Sequence, residues 1–76
     1  MVEESDFLDF VAGIMGVDPA GLSLATQYES IPQWDSVMQL RLVMEIGSEY
    51  GVDFPLEQIP ELKTLGSFWE VVRVAR

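Results

Sequence analysis

Cysteine and histidine are both absent from these 76 residues. Their absence removes thiolate metal sites, cysteine nucleophiles, serine–histidine triads and the side chain that most readily titrates near neutrality. It also removes disulfides. Positive charge is scarce as well: 4 Lys and Arg stand against 13 Asp and Glu, a net charge of −9. Such a balance repels phosphate backbones and anionic membrane surfaces, so nucleic acid is not an expected partner, whereas basic protein surfaces are its natural complement. Acidity that serves solubility alone fits the same numbers. Carboxylate pairs remain available for acid/base chemistry, but that chemistry needs an enclosing cleft, and a chain this short has little volume for one. Autonomous catalysis is therefore not expected.

What is present is a globule. Half the residues are apolar (49%) and mean hydropathy is slightly positive, which predicts one domain over residues 1–76, with a stability of roughly 4–11 kcal/mol. The opening Met1-Val2-Glu3-Glu4-Ser5-Asp6 is acidic and leads into a helical pattern. It reads neither as a basic signal-peptide start nor as a membrane span, and the expected location is cytoplasmic.

Helical periodicity dominates. Ser5 can cap a first helix with Phe7, Phe10, Val11 and Ile14 on one face, ending near Met15-Gly16. From Val17 to Asp35 the pattern gives way to a long loop with apolar anchors at Leu22, Leu24, Tyr28 and Ile31. A second helix starts at Asp35 or Ser36 and runs to Tyr50, where Gly51 suits a left-handed cap. The spacing assigns Leu40, Leu42, Val43, Ile46 and Tyr50 to its buried side. Its outer arc holds Arg41, Glu45 and Ser48, bordered by Val37, Met38, Met44 and Glu49, and forms a plausible docking surface. Met38 and Met44 serve equally well as gap fillers under the loop.

Val52-Asp53-Phe54-Pro55 is extended but has nothing to pair with, and reads as a connector. Leu56 to Ile59 can form one helical turn before Pro60. Thr64 then caps a last helix with Leu65, Phe68, Trp69 and Val72 in its core face, and Arg73 and Arg76 near its negative end. The expected fold is all-α: a bundle of three longer helices and one short one, with no sheet.

Ser36 stands out because it opens the second helix after a long loop. In Ser36-Val37-Met38-Gln39 it matches a capping box, whose hydroxyl accepts from the N–H three residues on. A phosphate attached there would also face unpaired N–H groups and the positive end of the helix dipole. Nothing nearby could activate the hydroxyl, Asp35 being a weak base, so any transfer onto it needs a second enzyme.

The run Asp35-Ser36-Val37 followed by Leu40, Leu42, Val43, Met44 and Ile46, then Tyr50-Gly51-Val52 and Phe54-Pro55, resembles the acyl carrier proteins and their aminoacyl and peptidyl relatives. Met15-Gly16-Val17 and Leu62-Lys63-Thr64-Leu65 extend the resemblance to nearly the whole chain. It implies a four-helix carrier that is not an enzyme. It further implies that a phosphopantetheinyl transferase, using magnesium and coenzyme A, leaves 4'-phosphopantetheine on Ser36, with Asp35 assisting recognition. Acyl cargo held there as a thioester would pass between enzymes of fatty acid, polyketide or other specialised pathways; an aminoacyl or peptidyl cargo, or an unmodified interaction module, is the alternative. Bundles of this family shelter fatty chains between their helices. Val37, Met38, Arg41, Met44 and Glu45 are the expected partner contacts. No metal site and no membrane insertion are expected, and a carrier that visits many enzymes is expected to be monomeric. Met38, Arg41 and Ser48 stand where fatty-synthase carriers tend to be acidic, and Trp34 where a small residue is common, which points to a specialised system.

Overall fold

In a computed structural model, residues 3–75 are described; Met1 and Val2, part of the acidic start, and Arg76, expected at the end of the last helix, lie outside them. Helix α1 spans Glu4–Met15, α2 Ser36–Tyr50 and α3 Leu65–Ala75, with a 3₁₀ turn at Pro19–Gly21 and a longer 3₁₀ helix at Leu56–Glu61. Among the described residues there is no strand, only an isolated antiparallel bridge between Gln27 and Thr64. The all-α bundle of three longer helices and a short one is thus what the chain forms.

Helix α1 begins earlier than its cap motif suggests. Glu3 is the extended N-cap residue and makes no side-chain cap bond, so Ser5 lies inside the helix. Glu4 and Asp6 complement the helix dipole in the first turn instead. Phe7, Val11, Ala12, Ile14 and Met15 are buried, Phe10 is half-buried, and Gly16 ends the helix at φ 72°.

The long loop is pinned as its anchors predict, with Leu22 buried and Leu24, Tyr28 and Ile31 half-buried. Trp34, which the periodicity leaves unassigned, goes deeper than any of them, with no exposed surface. Backbone bonds tie the loop to the start of α3: Tyr28 N–H donates to Lys63 C=O (2.7 Å), Leu65 N–H to Thr26 C=O (3.1 Å) and Gly66 N–H to Leu24 C=O (2.8 Å). A Cβ on Gly66 would lie 3.0 Å from that Leu24 oxygen, so the close approach itself calls for glycine.

In α2 the inward stripe is Gln39, Leu42, Ile46 and Tyr50. Leu40, assigned to the buried face from its spacing, is 55% exposed. One residue is 100° of helix rotation, so a stripe centred on Gln39 and Leu42 carries Leu40 to its solvent edge. Gly51 closes the helix at φ 65°.

Val52–Pro55 is a connector, as expected, with Val52 buried and the Phe54 ring 5.3 Å from that of Phe68. The short helix does not stop before Pro60 but passes through it to Glu61. A 3₁₀ helix loses a single i→i+3 bond at a proline, and Gln58 N–H to Pro55 C=O (2.9 Å) and Leu62 N–H to Ile59 C=O (3.1 Å) are retained on either side. Thr64 caps α3 reciprocally: its Oγ1 accepts from Ser67 N–H (3.2 Å), and Ser67 Oγ accepts from Thr64 N–H (3.3 Å). Arg73 forms a forked pair with Glu70 on the outer face of α3.

Phe7, Val11, Trp34, Leu42, Ile46, Leu65, Phe68 and Val72 are fully buried in one cluster contributed by the loop and all three α-helices. Phe68 and Trp69 belong to it, in keeping with their reading as core. No described helix is long and apolar enough to cross a membrane.

Candidate functional site

The first turn of α2 is capped by Asp35, whose Oδ1 accepts from Met38 N–H (2.9 Å). This corrects the capping box read into Ser36 and Gln39. A carboxylate one residue upstream takes the Met38 N–H with a stronger, charge-assisted bond, the Gln39 N–H that a Ser36 cap would have used donates to the Asp35 C=O (2.9 Å), and the Gln39 side chain turns inward instead of back toward the cap. The Ser36 hydroxyl is left exposed and makes no hydrogen bond within the described residues. The Ser36 and Val37 N–H groups likewise have no protein partner there, leaving two orphan donors at the positive end of α2.

Gln39 is 8% exposed, the one polar residue in the buried set among the described residues. Its Oε1 accepts from the Trp34 indole N–H (2.7 Å), and its Nε2 donates to the carbonyls of Ile59 (3.1 Å) and Leu62 (3.0 Å). A single amide thus joins the end of the long loop, α2 and the 3₁₀ helix. No buried side-chain nitrogen or oxygen among the described residues is left unpaired, as a stable interior requires.

Above this amide lies an open groove of about 690 Å³. Ser36 and Leu40 line it from α2, Tyr28 from the loop, and Ile59, Leu62 and Lys63 from the 3₁₀ helix and the segment after it. The sequence reading did not assemble this groove, because its walls are brought together only by the Gln39 bonds and by the pairing of the loop with residues 63–66. Of its wall residues the sequence singles out Ser36 and the loop anchor Tyr28, while the spacing assigns Leu40 to the buried side of α2.

The other singled-out residues lie along the outer side of α2. Val37 is 75% and Met44 71% exposed, so Met44 does not fill the core. Met38 is half-buried and packs against the core, the gap-filling role. Arg41 is exposed and pairs with the half-buried Glu45 one turn on. No group of three or more acidic residues within the described chain is placed to hold a metal.

An exposed serine hydroxyl, two free amides and an adjoining groove suit a phosphate ester that carries an extended arm, since amides at a helix start receive anions. Comparison with known proteins agrees with this fit. The family described as phosphopantetheine attachment site matches residues 5–72, while no curated protein and no solved structure shows a significant match. Domains of that family bear 4'-phosphopantetheine and act as carriers, not as catalysts, meeting phosphopantetheinyl transferases and acyl-handling enzymes. On that match, which spans nearly all of the bundle, the chain belongs to the phosphopantetheine attachment site family.

Proposed function

We propose that Ser36 bears the prosthetic group and that the chain is an acyl carrier protein, delivering acyl groups between partner enzymes. One observation carries this reading: the Ser36 hydroxyl is exposed and uncommitted at the capped start of α2, on the rim of the groove. The group supplies a terminal thiol on which cargo rides as a thioester, the function that a chain without cysteine cannot provide. Its phosphate would lie against the free N–H groups of Ser36 and Val37.

The chain's own contribution is display, not activation. Asp35 Oδ1 is held by Met38 N–H, and no histidine exists to take the serine proton. A phosphopantetheinyl transferase must therefore supply the base and the magnesium while Ser36 Oγ attacks coenzyme A. A phosphodiester to Oγ forms, the pyrophosphate bond breaks, and adenosine 3',5'-bisphosphate leaves. Asp35 contributes by fixing the turn that presents the hydroxyl.

Partners must come within reach of an arm rooted at Ser36, so the outer side of α2 is the expected contact surface. Val37 and Met44 offer apolar area, Met38 a half-buried edge, and Arg41 and Glu45 a pair that largely cancels its own charge. The carrier is expected to act as a cytoplasmic monomer in a specialised acyl-transfer pathway.

The test is intact-mass spectrometry after incubation with coenzyme A, magnesium and a broad-specificity transferase. Wild type should gain one phosphopantetheine and Ser36→Ala none. An equal gain on the variant would move the attachment point elsewhere, and no gain on folded wild type would overturn the assignment.

A further inference from the structure

The interior next to Ser36 is not an open apolar sleeve. Inward from the helix start lie Gln39 and Trp34, and the bonds from the indole to Gln39 and from Gln39 to Ile59 and Leu62 cross the floor of the groove. Behind them the rings close ranks. Trp34 meets Tyr28 edge-on at 5.9 Å and Phe68 at 6.4 Å, and Phe68 meets Phe54 at 5.3 Å.

An alkyl chain passing from Ser36 into the bundle would have to part these bonds. The indole N–H, the Gln39 amide and two backbone carbonyls would lose partners that a hydrocarbon cannot replace, while water is kept away. The groove outside offers a different environment. It is open to solvent, and its wall is mostly apolar, with Tyr28, Leu40, Ile59, Pro60 and Leu62 set beside the polar Gln27, Lys63 and Thr64.

We infer that the Trp34–Gln39 lock closes the interior of the bundle to cargo, so that an acyl chain on this carrier lies in the outer groove, open to solvent, and is not sheltered between the helices. The inference rests on attachment at Ser36. It departs from the sheltering that the family resemblance implies, and the departure comes from one polar side chain whose three hydrogen bonds an entering hydrocarbon would have to break.

The wild-type protein tests it without mutation of the core. Acetyl-CoA and octanoyl-CoA, each supplied to the apo protein with a broad-specificity transferase, give two loaded forms whose masses are verified against Ser36→Ala. Hydroxylamine cleavage of each thioester is then timed beside the same acyl group on free pantetheine. Both protein-bound thioesters should be cleaved within about threefold of their free counterparts, a difference of less than about 0.7 kcal/mol. Octanoyl cleavage slowed by more than that on the protein alone would show a sheltered chain and overturn the inference while leaving the tether intact. Absence of loading, or loading that survives Ser36→Ala, would overturn the tether and the inference together.

Discussion

Gln39 and Leu40 are neighbours whose roles are the reverse of what their chemistry suggests. The glutamine is inside and the leucine is at the surface, because Gln39 finds three hydrogen-bond partners within the protein and Leu40 finds only an open groove. Replacing Gln39 with Leu preserves volume but orphans the Trp34 N–H and two carbonyls, and should cost about 2–4 kcal/mol. Leu40→Ala, by contrast, removes partly exposed methyl groups and should cost less than about 1 kcal/mol. Urea unfolding followed by tryptophan fluorescence reads both, and equal losses would show that the amide bonds contribute little. Ser36 illustrates the same point at the site. A serine three residues before a glutamine looks like a cap, yet the neighbouring aspartate takes that role and frees the hydroxyl for other chemistry.

The helices show how packing reverses an intrinsic preference. Gly47 lies inside α2, where alanine would ordinarily add about 1 kcal/mol of helix propensity. Here a Cβ would come 2.9 Å from the Val52 carbonyl, and that carbonyl is held by the turn in which Gly51 and Val52 both bond back to Gly47. Gly47→Ala should therefore destabilise by about 1–2 kcal/mol, as overpacking does. Gly13, on the exposed side of α1 with nothing within 4 Å of a built Cβ, is the control. Gly13→Ala should stabilise by about 0.5–1 kcal/mol. Thermal unfolding of the two variants should move in opposite directions; a gain for both would mean that the turn after α2 yields easily. The 3₁₀ helix follows the same logic, since Pro60 permits it by removing only one bond of a short ladder.

At the scale of the whole molecule, charge and core meet at Tyr50. The phenol is buried between α1 and α2, with the Phe7 ring 6.0 Å and the Phe10 ring 5.8 Å away. Burial pushes its pKa above the ordinary 10.0, and the carboxylates of Glu49 and Asp6 push in the same direction. Above pH 10 the unfolded chain releases this proton more readily than the folded one, so stability is fully present below that pH and is lost as pH rises through the folded value. The unfolding free energy should decline across this alkaline window, and Tyr50→Phe should flatten the decline. A slope unchanged in the variant would place the responsible group elsewhere. Self-repulsion from a net charge of −9 acts on the same balance, so added salt should raise the whole curve without removing the Tyr50 step.

The sequence by itself determined the three α-helices and the existence, though not the extent, of the short one, the long pinned loop, the place of Ser36 at a helix start and the outward face of α2. Periodicity, glycine stops and a helix-opening Asp-Ser pair are local signals, decided within a few residues by backbone sterics and amphipathicity. It also carried the family frame from Met15 to Leu65. Only the tertiary structure decided that Asp35 and not Ser36 caps α2, that Gln39 is buried while Leu40 is not, that Trp34 reaches the core, and that a groove lies beside Ser36. Each of these depends on partners more than a dozen residues away or on a choice between adjacent side chains: the carbonyls of Ile59 and Leu62, the Phe68 ring, the pairing of residues 24–28 with 63–66. A polar side chain has no place in a hydrophobic pattern until its hydrogen-bond partners are in position, and those partners exist only in the folded chain.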